Sequence, residues 1–176
     1  MLRLPRGGHV FRHAEAARGR RARSLRELRP HPGPRLKTLR LYTDGGARGN
    51  PGPAGVGVVI EDEHGMRLRG LHRFLGRATN NEAEYEALIE GLKAVQEWKP
   101  DRLEIFLDSK LVVEQMGGRW KIKEARLQSL QTKAKELLST FPDFEIKHVE
   151  RERNKGADAL ANMAMDEHVK KPGAPG

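Results

Sequence analysis

The 176-residue chain has no cysteine, few aromatic side chains (Trp 2, Tyr 2, Phe 5) and no apolar run long enough to span a membrane. Without cysteine there is neither a disulfide frame nor a thiolate metal site, and a reducing compartment, here the cytoplasm, is the default. Arg3, Arg6 and Arg12 interrupt any secretory apolar core at the N-terminus, and no membrane partner is expected. The first 36 residues carry one Phe and no Trp or Tyr, too little apolar surface to order themselves. Residues 1–36 therefore read as a basic, Arg-rich, disordered arm. Residues 37–167 read as one globular domain that works as a monomer, and residues 168–176 as a flexible tail.

The formal net charge is +9, but it is unevenly placed. The arm holds ten Arg and two Glu, whereas the remainder holds 23 basic and 22 acidic residues. A near-neutral domain with a basic arm points to a polyanionic partner through counterion release. Three readings of the arm stay open: a nucleic-acid arm in which residues 14–29 form a basic helix when bound, an Arg-rich organellar targeting peptide, or a stretch with no specific role. The cluster Pro30-His31-Pro32-Gly33-Pro34 marks its boundary.

Within the domain, Leu39, Leu41 and Thr43 alternate with Arg40, Tyr42 and Asp44, the period-two pattern of a strand. A run rich in Gly and Pro follows Asp44, and predicts that the strand ends there with the carboxylate presented rather than buried. Further strands are expected at 54–61 and 66–75, completing an antiparallel meander; the glycines of the second would admit another backbone. Thr79-Asn80-Asn81 supplies the cap of a long helix that Pro100 stops. A buried strand at 103–107, a helix from Ser109 to the Gly117-Gly118 break, a helix over 124–139, a strand at 144–149 and a helix from Asn154 to about Glu167 complete the order βββ-α-β-α-α-β-α. That order predicts an α/β fold with a mixed five-stranded sheet, three antiparallel strands then two parallel, and helices on both faces.

Four carboxylates stand out. On the long helix Glu82, Glu86, Glu90, Lys93 and Glu97 form one charged, solvated stripe, but Glu84 shares the side of Leu88, Leu92 and Val95 and faces the core. Asp108 ends the buried strand, where open α/β sheets place ligand sites; it also reads as an N-cap for the next helix. Asp158 lies in the first turns of the last helix, where an acid also complements the helix dipole. Gathered together these acids would repel one another, and divalent cations resolve that repulsion. Oxygen-only ligands favour Mg2+ or Mn2+ over Zn2+, and paired ions about 3.5–4 Å apart are an arrangement suited to in-line phosphodiester displacement.

The motifs Tyr42-Thr43-Asp44-Gly45-Gly46 with Gly49-Asn50-Pro51-Gly52, Thr79-Asn80-Asn81-Glu82-Ala83-Glu84-Tyr85, Leu107-Asp108-Ser109 and Arg153-Asn154-Lys155-Gly156-Ala157-Asp158-Ala159-Leu160-Ala161 occur in that order. Together they give the chain from Lys37 to about Asp166, some three quarters of its length, a resemblance to the ribonuclease H type 1 family. The resemblance implies a ribonuclease H-like fold with Asp44, Glu84, Asp108 and Asp158 as catalytic metal ligands, and two Mg2+ or Mn2+ ions per site with substrate bound. It also implies an RNA–DNA hybrid as partner, its RNA strand hydrolysed to 3′-hydroxyl and 5′-phosphate ends. Gly45, Asn50, Asn80 and Asn81 are expected at the minor groove, and Arg77 with Thr79 at a phosphate of the DNA strand.

The sequence departs from the family's best-known form in three places. No long Lys- and Trp-rich insertion separates Asp108 from Asp158, so the basic handle is missing and Trp120, Lys121 and Lys123 are the nearest substitute. Lys110 stands where a substrate-contacting Gln is common. His148 lies ten positions before Asp158, where some members keep a catalytic His that aids product release, although the plain strand residue of Lys147-His148-Val149 is the favoured reading. A non-catalytic nucleic-acid binder on the same fold is disfavoured because all four acids are present, which would hinder polyanion binding. A phosphate-loop nucleotide enzyme fails because no Gly-Lys-Ser/Thr follows Gly55.

Overall fold

The structure, a computed structural model, describes residues 10–14 and 38–170. Its elements in chain order are β1 (Val10–Ala14), β2 (Thr38–Ala47), β3 (Gly52–Asp62), β4 (Arg67–Ala78), α1 (Asn80–Gln96), β5 (Arg102–Leu107), α2 (Lys110–Met116), α3 (Ala125–Leu138), β6 (Asp143–His148) and α4 (Lys155–Lys170), with a 3-10 turn at Arg151–Arg153. The strands form one sheet in the order β1-β6-β5-β2-β3-β4. β2, β3 and β4 pair antiparallel, β5 joins β2 in parallel, and β6 joins β5 in parallel. This is the five-stranded mixed sheet the element order predicts, with one strand added outside it.

That added strand corrects part of the reading of the arm. Val10–Ala14, expected to be disordered, pairs antiparallel with β6, from Val10↔Lys147 to Ala14↔Asp143. A parallel edge strand leaves a row of unpaired N–H and C=O groups, and any short extended segment can satisfy them. The rest of the arm, including residues 15–36 and the proline cluster, lies outside the described residues, as do residues 171–176 of the expected tail. The other end also differs: α4 runs to Lys170, three residues past the expected limit.

Alternation decides the layers. In β2 the buried positions are Leu39, Leu41, Thr43 and Gly45, and they face α1. Leu103 and Ile105 of β5 and Ile146 of β6 extend that face, which packs on Tyr85, Leu88, Leu92 and Val95 of α1 and on Leu127, Leu130 and Leu138 of α3. Each such fully buried Leu or Ile side chain contributes roughly 1.5–3 kcal/mol. On the other face α4 lies on β3 at Gly55 and Gly57, where an added Cβ would meet the backbone of Ala161 and Ala157. The expectation that those glycines admit another backbone holds.

The Gly- and Pro-rich run after Asp44 does not end the strand. β2 continues through Gly45↔Val56, Gly46↔Gly55 and Ala47↔Ala54, because β3 runs alongside and satisfies its backbone. The acidic stripe of α1 is likewise more than a solvated face. Arg73 of β4 lies 2.8 Å from Glu90, Arg69 2.8 Å from Glu97, and Arg126 of α3 3.0 Å from Glu82. These are exposed pairs, each worth well under about 1 kcal/mol, so they orient α1 more than they stabilise it.

Candidate active site

Sheet register brings the first two acids together. The last parallel pair between β2 and β5 is Thr43↔Leu107, so the next residue of each strand, Asp44 and Asp108, emerges from neighbouring strands about 4.8 Å apart. Asp108 is not a helix cap. Ser109 takes that role, its Oγ accepting from the Val112 amide at 3.3 Å, which leaves the Asp108 carboxylate to the cleft.

Two glycines bring the helices in. A Cβ on Gly45 would collide with the Ala83 carbonyl and the Glu84 amide, so only glycine lets α1 press onto β2 where Glu84 projects. Thr79 caps that helix, its Oγ1 accepting from the Glu82 amide at 3.2 Å and its hydroxyl donating to the Glu82 carboxylate at 3.2 Å. Gly57 is the partner of Asp44 across β3, and a Cβ there would run into the Ala157 carbonyl. The first turn of α4 therefore sits against Asp44 and delivers Asp158 to it.

Asp44, Glu84 and Asp108 each offer a carboxylate oxygen, and the three oxygens lie within 4.8 Å of one another. The cleft they share is lined by Thr43, Asp44, Glu84, Leu107, Asp108, Ser109 and Val112. Asp158 lies outside that trio but is a hydrogen-bonding neighbour of the Asp44 carboxyl. Burial, then the Asp108 charge, then the bond with Asp158 push Asp44 up to about 8. Burial raises Glu84 to about 7, against a lowering hydrogen bond from Ser109. Asp108 is raised by burial too, opposed by the Arg151 charge and an Asn154 hydrogen bond. The Arg151 guanidinium stands 4.0 Å from Asp108 and is mostly in water.

Asn154 is a residue whose part here the sequence reading missed. It occupies the expected position before α4, and its carbonyl accepts from the Asp158 amide at 3.1 Å. Its side chain, however, is buried: Nδ2 donates to the Thr43 carbonyl at 2.9 Å, and the side chain also bonds Asp108, while Oδ1 has no partner. It thus ties β2, β5 and α4 together at the cluster. The available signal was its place four residues before Asp158 in the last motif.

The remaining expected site residues divide into rim and support. Arg77, Asn50, Asn80 and Lys110 are exposed, and Asn81 is half-buried. Asn50 and Asn80 hold the rim together, Asn50 Oδ1 accepting from the Asn80 amide at 3.1 Å and Asn80 Oδ1 from the Ala47 amide at 2.9 Å. Gly45 is buried beneath α1 and acts through close approach. His148 ends β6, and its Nε2 lies 3.1 Å from the Asp108 carbonyl oxygen, which can only accept, so that nitrogen donates.

A family model described as reverse transcriptase-like matches residues 42–164. Ribonuclease HI of Halobacterium salinarum is 45% identical over 130 residues, 73% of this chain and 65% of that protein. The bifunctional protein Rv2228c of Mycobacterium tuberculosis is 47% identical over 127 residues, 72% of this chain and 35% of that protein. The chain thus spans less than two thirds of either relative. Among solved structures, that of LC11-RNase H1 in complex with RNA/DNA hybrid superposes with a TM-score of 0.71 at 43% identity, covering 74% of this chain and 99% of that one.

Proposed function

Because the chain belongs to the ribonuclease H type 1 family, we propose that it is an endoribonuclease that hydrolyses the RNA strand of RNA–DNA hybrids, leaving 3′-hydroxyl and 5′-phosphate ends. The observation that carries this reading is the convergence of Asp44, Glu84 and Asp108 on one cleft, with Asp158 against Asp44. The acids come from two strands and two helices, and burial holds Asp44 and Glu84 well above their ordinary values. Such a set is poorly satisfied by the protein alone: among the described residues its ion pair is the one between Arg151, which is exposed, and Asp108, at 4.0 Å.

The donor set fits hard divalent cations. All four groups are carboxylates, and among the described residues no nitrogen or sulfur ligand joins the cluster of Asp44, Glu84 and Asp108. Asp44, Glu84, Asp108 and Asp158 would hold Mg2+ or Mn2+, two ions with substrate present, which supply Lewis-acid stabilisation of charge at the phosphodiester. The chain's own groups do the positioning. Ser109 orients Glu84, Asn154 orients Asp108, and His148 fixes the Asp108 backbone. Arg77, Thr79, Asn50, Asn80, Asn81 and Lys110 are assigned to the hybrid, with 2′-hydroxyls distinguishing the RNA strand at the rim. The enzyme is taken to act as a monomer in the cytoplasm, a setting the absence of cysteine favours. Among the described residues no helix is long and apolar enough to cross a membrane.

The test is a gel of end-labelled hybrid, duplex RNA and duplex DNA, each with Mg2+, Mn2+ or chelator. Only the RNA strand of the hybrid should shorten, and only with metal. Equal cutting of duplex RNA, or cutting in chelator, would overturn the assignment.

A further inference from the structure

We propose that Asp166, through its ion pair with Arg48, is a positioning residue that fixes the turn between β2 and β3, residues 48–51, and so sets Asn50 at the rim of the cleft. That role rests on the activity put forward above. It gives α4 two tasks. Asp158 in its first turn joins the carboxylates, and Asp166, about 12 Å further along the same helix, holds the rim.

Arg48, Gly49, Asn50 and Pro51 are all exposed, so no side chain of the turn anchors it in the core. Ties to its neighbours hold it instead. The Arg48 amide donates to the Pro53 carbonyl at 2.8 Å, and a Cβ on Gly52 would lie 2.2 Å from the Arg48 carbonyl oxygen, so the backbone at Arg48 is closely confined. On the α1 side, Asn50 Oδ1 accepts from the Asn80 amide and Asn80 Oδ1 from the Ala47 amide. On the other side stands α4. Its buried Met165 packs against both roots of the turn, with Cε 3.9 Å from a Cβ position on Gly46 and Cγ 3.1 Å from one on Gly55. The next residue, Asp166, accepts from Arg48 Nη2 through Oδ1 at 2.5 Å.

As a source of stability this pair is minor. The Arg48 and Asp166 side chains are 42% and 53% exposed, and ion pairs in water add little to folding. Its effect is geometric. The pair closes the turn onto the helix that also carries Asp158, so the rim and the carboxylate cluster are referred to one rigid element. A hybrid strand that meets Asn50 is thereby held at a set distance from the acids. A turn ordered before substrate arrives also spares the cost of ordering it on binding, and that saving is felt in KM rather than in the chemical step.

The experiment measures KM and kcat on hybrid across a salt series, together with Tm, for the intact chain. Asp166→Asn should raise KM about fivefold with kcat unchanged and Tm moved by less than about 2 °C. Arg48→Gln should do the same with its salt slope of log(1/KM) unchanged, and the two substitutions together should be no worse than either alone. Exchanging the charges, Arg48→Asp with Asp166→Arg, should bring KM back towards wild type. Glu167→Gln is the control: it breaks a comparably exposed contact of the next residue, with His72 of β4 at 3.0 Å, and should leave KM where it was. A KM that falls in Asp166→Asn, or a salt slope that drops by about 1 in Arg48→Gln, would show that Arg48 grips a phosphate for which Asp166 competes, and would overturn the positioning role. An unmoved KM in Asp166→Asn, with wild type cutting hybrid, would overturn it too and leave the activity standing. A wild-type chain that does not cut hybrid would overturn the activity itself, and the positioning role with it.

Discussion

Replacing Asp44 by Asn should make the metal-free protein more stable and inactive at once. In the folded state the Asp44 carboxyl is pushed up to about 8 from 3.8, so folding at neutral pH retains a proton that the unfolded chain releases. At about 1.36 kcal/mol per pH unit, the interval from 3.8 to pH 7 is a ceiling of about 4 kcal/mol, and solvent screening at a cleft mouth reduces it to about 2. Asn has nearly the same shape and no charge, so the variant escapes that penalty. For a domain of this size the gain corresponds to a Tm increase of about 7 °C. The sign follows from the raised pKa: wild type loses stability as pH climbs from about 4 to about 8, and the variant does not. The gain should therefore be absent below pH 4, grow through neutrality and level off above pH 8. Thermal melts of both proteins in chelator, from pH 4 to pH 9, read it directly, alongside cleavage assays. A variant that is no more stable than wild type at pH 8, or equally stabilised at pH 4, would show that the carboxylates do not repel one another in the folded chain.

Two further outcomes follow from the same cluster. Saturating Mg2+ should raise the wild-type Tm at pH 8 but little at pH 5, because protons on Asp44 and Glu84, raised to about 8 and about 7, compete with the ion; an equal rise at both pH values would be inconsistent with this site. Gly45→Ala should destabilise by about 1–3 kcal/mol and lower the cleavage rate by about tenfold or more, since the new methyl meets the rigid Ala83 backbone and displaces Glu84. Gly46→Ala is the control, its methyl meeting only Met165 Cε at 3.9 Å. Similar melts and rates for the two glycine variants would refute the account of how α1 is seated.

What could be read from the sequence was whatever local periodicity encodes. Glu84 stood out because the stripe of α1 left it among core residues, and the structure places it there, half-buried and lining the cleft. Asp108 was legible as a strand end, but whether it capped α2 depended on which of two adjacent residues turned inward, and Ser109 took the amide. The remaining features depend on partners distant in sequence. β2 outlasts its glycines only because β3 lies beside it, and Val10–Ala14 is a strand only because β6 offers an edge. The arginines that meet the α1 stripe come from β4 and α3, beyond any helical repeat.

Gly45 and Gly57 show the limit most clearly. Each looks in sequence like turn or strand glycine, yet each is the point at which a helix backbone touches the sheet, one on either face. The cluster therefore depends on absent side chains as much as on present ones. Carboxylates can be counted from the sequence, but their convergence is set by where two helices can approach β2 and β3 without a Cβ in the way. A chain that kept all four acids and filled those two positions would keep the motif and lose the site.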